Sequence, residues 1–345
     1  MSDALIAITV LWGFIFIYSV MATMDFGAGF WSMIYINRKQ TNATNIANRY
    51  LSPTWEVTNT FIVAIVVAIY SFFPGAAYTF GTVLLVPGSL ILLLLAIRSA
   101  FMVFSHIADD YRIALTYISG ISGILIPGLL ISVLPVSHGG FVNFEQGQTL
   151  DLIALFTSPH EYAFVGFAIS STLFLSSLLL ADYSKASEEM EAYYVYRRDA
   201  LITGPLSLLM AFLIMITLKT EAVWLYDKMV DQLPLLFVSL LFFLVAGIAL
   251  LLRDRRGTIG MPRLAVISIT IQYMLASYVY GKAHLPYILY PEVTITSGFT
   301  DPASFKAVFA TYIVGFLILF PGFIYFWSLF MNDKRYLRQK EKTSK

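Results

Sequence analysis

The residues of this sequence that could do chemistry are a few charged side chains set inside long apolar runs. Asp25 lies within the stretch MDFGAGF, Glu56 within SPTWEVTN and Arg98 within LLAIRSAF. An ionisable group in a membrane-spanning segment is costly and is usually retained for a partner or a task. Because carboxylates can pass protons where bulk water is excluded, we predict a proton path from the cytoplasm that includes Asp25.

Other polar residues at similar predicted depths extend this candidate path. We expect Ser19 and Asn59 to act with Asp25 and Glu56, and Arg98 to be the electrostatic partner. Two other interpretations of Asp25 stay open: an ion pair that only locks two helices together, and a position that faces lipid. Glu56 also has an alternative, because the helix dipole stabilises an acidic residue in the first turn of a helix.

The rarity of charge in the chain places these residues in a membrane. Of 345 residues, 58% are hydrophobic and 12% are charged, whereas a soluble domain carries roughly 25% charged residues. Recurring apolar runs therefore predict an all-α integral membrane protein. A net charge of +1 without a basic face predicts no nucleic-acid partner. The lack of Cys excludes disulfides, thiolate metal sites and Cys-linked haem.

The apolar runs predict nine membrane-spanning helices, each long enough to cross a hydrocarbon core of about 30 Å. We expect a single transmembrane domain, residues 1–345, built as two four-helix bundles plus one peripheral helix. The predicted helices lie near 4–36, 55–73, 77–105, 113–135, 161–182, 201–218, 234–252, 263–282 and 306–331.

The positions of Lys and Arg predict the orientation in the membrane. Of the 22 cationic residues, 17 fall in the alternate loops and the C-terminal tail that share one side. Cytoplasmic loops carry the excess of Lys and Arg. The N-terminus is therefore predicted to lie outside and the C-terminus in the cytoplasm, which an odd number of crossings also requires.

The four histidines bear on cofactors through their locations. His106 is near the cytoplasmic end of the third predicted helix, whereas His138, His160 and His284 lie in or beside external loops. A haem held between transmembrane helices needs axial His or Met inside the bundle. We therefore predict no haem iron in this chain. The three external histidines lack an accompanying carboxylate pattern, so we predict no metal site.

Several motifs resemble subunit II of the cytochrome bd-type quinol oxidases. MDFGAGFW resembles that family's Asp-Gly-Phe-Asp-x-Gly-x-Gly segment, with Asp25 on the second Asp and with Gly27 and Gly29 on the glycines. Trp55 and Glu56 fall on its Trp-Asp pair.

Two further stretches carry the same resemblance. LAIRSAFMVF is similar to the end of the family's third helix, with Arg98 on its Arg. KAHLPYILYPEVTITSGFTDPASFKAV (282–308) resembles the family's late external loop before the last helix. The order and spacing of the motifs agree over nearly the whole chain.

The resemblance implies a non-haem subunit of a terminal quinol:O2 oxidoreductase in a prokaryotic cytoplasmic membrane. Haem b and haem d would belong to the partner, subunit I, which would also oxidise the quinol. This chain would bind no cofactor of its own, would support subunit I and would conduct protons toward the oxygen-reducing site. A bound quinone or lipid and a small accessory subunit stay open. So do two rival functions, a secondary transporter and a purely structural scaffold.

Overall fold

The structure is a computed structural model that describes residues 2–37, 41–104, 111–144, 147–254 and 257–332. Within these ranges, the side chains of residues 50–56, 101, 103, 104, 112, 326, 327 and 329–332 are not described. The described elements are, in chain order, α1 (Asp3–Tyr35), α2 (Ala43–Phe72), α3 (Pro74–Val83), α4 (Leu85–Phe104), α5 (Arg112–Ile131), α6 (Val133–Ser137), β1 (Val142–Asn143), β2 (Thr149–Leu150), α7 (Leu152–Thr157), α8 (Pro159–Ala186), α9 (Met190–Glu221), α10 (Val223–Val230), α11 (Leu233–Leu251), α12 (Pro262–His284), β3 (Tyr287–Leu289), β4 (Val293–Thr294) and α13 (Pro302–Asn332).

Most of the long helices are apolar enough to cross a membrane. Among the described residues, seven helical segments meet the length and hydropathy required for a span. An eighth is a broken span, in which Val57–Phe72 and Pro74–Val83 meet at an angle of 117°. Leu85–Ala100 is a shorter apolar helix. The predicted membrane class is confirmed, whereas the count of nine helices stays a prediction.

The predicted helix near 77–105 is divided in the structure. The chain ends α3 at Val83, turns at Leu84 and begins α4 at Leu85. Proline lacks an N–H and clashes with the preceding turn of a helix, so it is tolerated in the first turn. Restarting the helix at Leu85 places Pro87 in that first turn. Pro74 likewise occupies the first position of α3 after the sharp bend at Phe73.

Two segments predicted as cytoplasmic loops are largely helical. The second helix begins at Ala43, 12 residues before its predicted start at residue 55. The predicted loop 183–200 contains the end of α8 and the start of α9. Charged residues end an apolar run without ending a helix, because a helix can continue past the hydrocarbon into water.

The two regions predicted as long external loops also contain regular structure. Short antiparallel hairpins, β1–β2 and β3–β4, accompany the helix α7. The protein is therefore mostly helical, as the sequence predicted, with two short hairpins in these regions.

Helix α1 lies at the centre of the packing and contacts α2, α5 and α8. On one side of it α4 packs against α5, and on the other α8 pairs with α9 and with α12, which also pairs with α11. The last helix, α13, contacts α2 and α1. Residues on several faces of α1 are therefore buried, which brings its polar side chains into contact with other helices.

Candidate functional site

Asp25 and Arg98, predicted to be electrostatic partners, meet at the buried junction of α1 and α4. The exposed fraction of Asp25 is 5% and that of Arg98 is 3%. Arg98 Nη2 lies 3.8 Å from Asp25 Oδ1 and donates a hydrogen bond of 2.8 Å to the Asp25 backbone carbonyl. The guanidinium therefore binds both the side chain and the backbone at this position of α1.

The rest of the Arg98 guanidinium is held by α5 and by an aromatic ring. Its Nη1 donates to the backbone carbonyl of Ser119 and lies 3.4 Å from Ser122 Oγ. Its Cζ lies 5.2 Å from the centre of the Phe26 ring, a distance at which a cation is attracted to the ring face. No signal in the sequence marked Ser119 and Ser122, because single serines are common in apolar helices.

The pair keeps unused hydrogen-bonding capacity. In the described part of the chain, Asp25 Oδ1, Arg98 Nε and Ser119 Oγ are buried and have no hydrogen-bond partner. Buried polar atoms are normally paired, and an exception points to a function or to an ordered water molecule. Asp25 therefore retains an oxygen that could accept a proton beside a fixed positive charge.

Gly27 and Gly29 allow the close approach of α1 to its neighbours. A Cβ atom on Gly27 would lie 2.1 Å from Ser176 Oγ on α8. One on Gly29 would lie 2.7 Å from Ser119 Oγ on α5 and 3.0 Å from Arg98 Nη2. The two motif glycines thus leave space for the helices that enclose Asp25.

The other predicted site residues are not brought against Asp25 by the described structure. Ser19 is exposed and donates to the Ile15 carbonyl within its own helix. Six helical residues turn the chain through about 240°, so Ser19 points away from the face that carries Asp25. Asn59 is half-buried on α2, and no described hydrogen bond joins it to Asp25.

Three more residues that the sequence singled out have no described side chain to place in the site. The side chains of Trp55 and Glu56 lie outside the described residues, although their backbone belongs to α2. His106 lies outside the described residues altogether.

A second buried carboxylate, Asp199, lies near the first turns of α9. The Tyr35 hydroxyl donates a hydrogen bond to it, and Arg198 Nη2 lies 3.0 Å from both Asp199 Oδ1 and the Tyr35 oxygen. Tyr35 follows Asp25 by ten residues, about 15 Å along α1. Sequence reasoning missed this group because residues 183–200 were assigned to a solvated loop.

A third polar group lies at the opposite end of the helices. We call it the histidine cluster, and its members are Ser137, His138, His160, Thr217, Tyr280 and His284. The exposed fractions of the three histidines are 4%, 1% and 8% in chain order. The sequence placed these histidines on one side of the membrane, but their convergence depends on how α6, α8 and α12 pack.

The histidines of this cluster bind one another and neighbouring hydroxyls. His138 Nδ1 lies 2.8 Å from His160 Nε2, and His138 Nε2 lies 2.8 Å from the Tyr280 oxygen. Burial lowers the pKa of His138 well below its usual value, and the neighbouring His284 and His160 lower it further. Within the described ranges, no group of three or more His, Cys, Asp or Glu is arranged to hold a metal ion.

Comparisons with known proteins agree on one family. The model of the family described as cytochrome bd terminal oxidase subunit II matches residues 4–330. A putative cytochrome bd menaquinol oxidase subunit II from Bacillus subtilis (strain 168) is 63% identical over 343 residues, which cover 99% of each chain. A chain in the structure of bd oxidase from Geobacillus thermodenitrificans is 38% identical, with a TM-score of 0.83, and the match covers 97% of this chain and 100% of that one.

Proposed function

Because this chain belongs to the cytochrome bd terminal oxidase subunit II family, we propose that it supports a haem-bearing subunit I and conducts cytoplasmic protons toward the site of O2 reduction. The chain is a component of an oxidoreductase complex, cytochrome bd quinol oxidase. Haem b and haem d belong to the partner subunit of this family. The Bacillus relative is named for menaquinol, and we extend that substrate class to this complex.

The proposed arrangement in the membrane is one domain of nine crossings with the N-terminus outside. The helices α1, α2, α4 and α5 form one four-helix bundle, α8, α9, α11 and α12 form the other, and α13 is peripheral. The contacts of α1 with α2 and α5, of α4 with α5, of α8 with α9 and α12, and of α11 with α12 support this grouping, and α1 and α5 also contact α8. The bias of Lys and Arg supports the orientation. We propose that the complex lies in a prokaryotic cytoplasmic membrane, with Asp199 toward the cytoplasm and the histidine cluster toward the outside.

The observation that carries the proton-path proposal is the buried Asp25–Arg98 pair. Reduction of O2 consumes protons, and a carboxylate shielded from water can accept and release one. Asp25 Oδ1 lies 3.8 Å from Arg98 Nη2 and has no described hydrogen-bond partner, so this oxygen is available to accept a proton. Glu56 and Asn59 are the proposed continuation on α2, and Ser19 would belong to the path only where subunit I covers it.

The test is Asp25→Asn in the purified oxidase complex. Asn fills the same volume and accepts hydrogen bonds but cannot carry a proton. We expect O2 consumption and proton uptake to fall together by about tenfold or more, since a positioned acid–base group contributes factors of this size. The haem absorbance should be unchanged. Asp182→Asn is the matched control, because that carboxylate pairs with the largely exposed Arg263.

Each rival function gives a different result. Unchanged turnover and proton uptake in Asp25→Asn would leave Asp25 as a structural lock. Normal activity in an Asp25→Asn, Glu56→Gln double variant would favour a purely structural scaffold. Solute uptake into vesicles that contain this chain alone would favour a secondary transporter. Proton conduction through Asp25 requires neither a quinone or lipid inside this subunit nor a small accessory subunit.

A further inference from the structure

The histidine cluster has no part in the proton path through Asp25, yet it gathers six polar side chains, three of them buried histidines. Its members come from α6 and its C-terminal end, α8, α9 and α12. Polar side chains in a membrane protein are expensive to bury and generally serve a function. What this cluster can do depends on which of its atoms can hold protons.

All four ring nitrogens of His138 and His160 have partners. His138 Nδ1 faces His160 Nε2 at 2.8 Å, His138 Nε2 faces the Tyr280 hydroxyl at 2.8 Å, and His160 Nδ1 faces Thr217 Oγ1 at 2.9 Å. A neutral imidazole has one donor and one acceptor nitrogen. When both rings are neutral, the two facing nitrogens therefore share a single hydrogen.

Two hydrogen-bond orders satisfy these contacts equally well. In the first, Tyr280 donates to His138, His138 donates to His160, and His160 donates to Thr217. In the second, Thr217 donates to His160, His160 donates to His138, and His138 donates to Tyr280. The hydroxyls at both ends permit the change, because Ser137 lies within reach of Tyr280 and the Ile214 carbonyl lies 3.1 Å from Thr217 Oγ1.

The same geometry accommodates one additional proton. If His138 carries a proton on both nitrogens, it donates to His160 and to Tyr280, and Tyr280 turns its own hydrogen toward Ser137. His160 still accepts from His138 and donates to Thr217, so no hydrogen bond is lost. A second additional proton on the pair would place two N–H groups against each other at the 2.8 Å contact and would separate the rings.

A cavity connects His138 of this pair with the surface. It has a volume of about 380 Å³ and is lined by His138, Glu221, Trp224 and Tyr290, among others. That volume is large enough for several water molecules. The exposed carboxylate of Glu221 favours a positive charge in the cavity.

Other charged or titratable groups surround the cluster. Lys228 on α10 donates a hydrogen bond of 2.7 Å to the Leu285 carbonyl, next to His284. Glu161, next to His160 on α8, accepts a hydrogen bond from Ser132. The ring centre of His284 lies 5.9 Å from that of His138, and its nitrogens contact the Ser137 hydroxyl and the Tyr287 carbonyl. His284 therefore does not share the facing contact.

We propose that His138 and His160 form a proton-binding site that holds one excess proton shared between their facing nitrogens and exchanges it through the adjoining cavity. The site is separate from Asp25 and lies at the other end of the helices. Tyr280 and Thr217 position the two rings and reverse their hydrogen bonds when the proton enters. In the proposed orientation the cavity opens on the outer side.

The test is infrared spectroscopy of the intact oxidase complex during acid titration without turnover. A proton shared between two imidazoles gives a broad continuum absorption that an isolated imidazolium lacks. We expect this absorption to be absent at about pH 8 and to grow only as the pH falls below the usual histidine value of about 6.5. His160→Gln and His138→Gln should each abolish it.

His284→Gln is the matched control, since it removes a histidine of the same cluster without touching the shared contact. We expect it to retain the continuum. Should a Gln variant fail to assemble, Tyr280→Phe keeps the ring and removes the hydroxyl, and the midpoint should then shift to lower pH. A continuum that is absent in the wild type, or unchanged in His138→Gln and His160→Gln, would overturn the proposal. The infrared test does not depend on proton delivery through Asp25, so the two proposals can fail separately.

Discussion

At the residue scale, the stability of the site depends on keeping Asp25 and Arg98 together. Both side chains are almost fully buried. Removal of one member of a buried pair leaves the other charge without compensation, at a cost of about 3–5 kcal/mol. Arg98 also binds two backbone carbonyls, those of Asp25 and Ser119, so its loss leaves three helices less firmly joined.

We therefore expect Arg98→Gln to lower the stability of the complex by about 3–5 kcal/mol. The measurement is thermal unfolding of the purified complex, with the release of this chain from its partner as the signal. The double variant Asp25→Asn, Arg98→Gln should recover part of the loss, because it removes the uncompensated carboxylate. A loss in the double variant equal to the sum of the two single losses would contradict this account.

Arg263→Gln is a suitable comparison for that measurement. Arg263 lies 3.2 Å from Asp182, but 66% of its side chain is exposed. Exposed ion pairs contribute about 0–1 kcal/mol because water and salt screen them. A similar loss in Arg263→Gln and Arg98→Gln would show that the burial of the Asp25 pair has no special consequence.

The sequence identified the charged members of this site but not the groups that complete it. Asp25 and Arg98 stand out because charge is rare in an apolar run. Ser119 uses its backbone carbonyl, which every residue has, and no residue type marks that role. Ser19 matched Asp25 in predicted depth, but a single uniformly apolar helix does not reveal which face is buried. The structure places it on the exposed side.

At the element scale, the contact between α1 and α8 depends on a glycine. Gly27 has Ser176 against it, and the Trp31 indole donates to the same Ser176 oxygen at 3.0 Å. Helices in membranes associate through small residues that allow close approach. Because Gly27 has no side chain, α1 can lie close to α8, and this close contact positions the segment that carries Asp25.

We expect Gly27→Ala to push α1 away from α8 and to lower both the yield and the thermal stability of the complex. The added Cβ would lie 2.1 Å from Ser176 Oγ, and overpacking of this kind costs about 1–3 kcal/mol. Ser176→Gly in the same chain should restore part of the stability. Gly13→Ala is the control, since a Cβ there has no neighbour within 4 Å among the described residues. Equal losses in the two alanine variants would contradict the close-contact explanation.

Element boundaries were predictable where apolar runs end in turns, and less so where helices continue into water. The first helix, predicted near 4–36, is Asp3–Tyr35. The start of α9 at Met190 precedes its predicted start at residue 201, because Arg197 and Arg198 end the apolar run but not the helix. That error concealed Asp199, which lies in the extended part of α9 and is buried by Tyr35.

At the scale of the whole molecule, Asp199, Asp25 and the histidine pair form three separate sites. Asp199 lies near the start of α9, Asp25 lies within α1, and the histidine pair lies where α8 begins and α9 and α12 end. The described hydrogen bonds do not join the three into one chain. This separation is physically sensible in a respiratory membrane, since a continuous proton wire across one subunit would dissipate the gradient that the oxidase builds.

The proposed orientation determines which of these sites faces the cytoplasm, and cysteine labelling can test it. The chain has no Cys, so each introduced Cys is its only thiol. Ala186 is exposed at the end of α8, and Glu292 is exposed between β3 and β4. With the C-terminus in the cytoplasm, a membrane-impermeant thiol reagent on intact cells should label Glu292→Cys and not Ala186→Cys. Both should react once the cells are permeabilised, which verifies that each thiol is accessible. The reverse pattern would place the histidine cluster on the cytoplasmic side and Asp199 on the outer side.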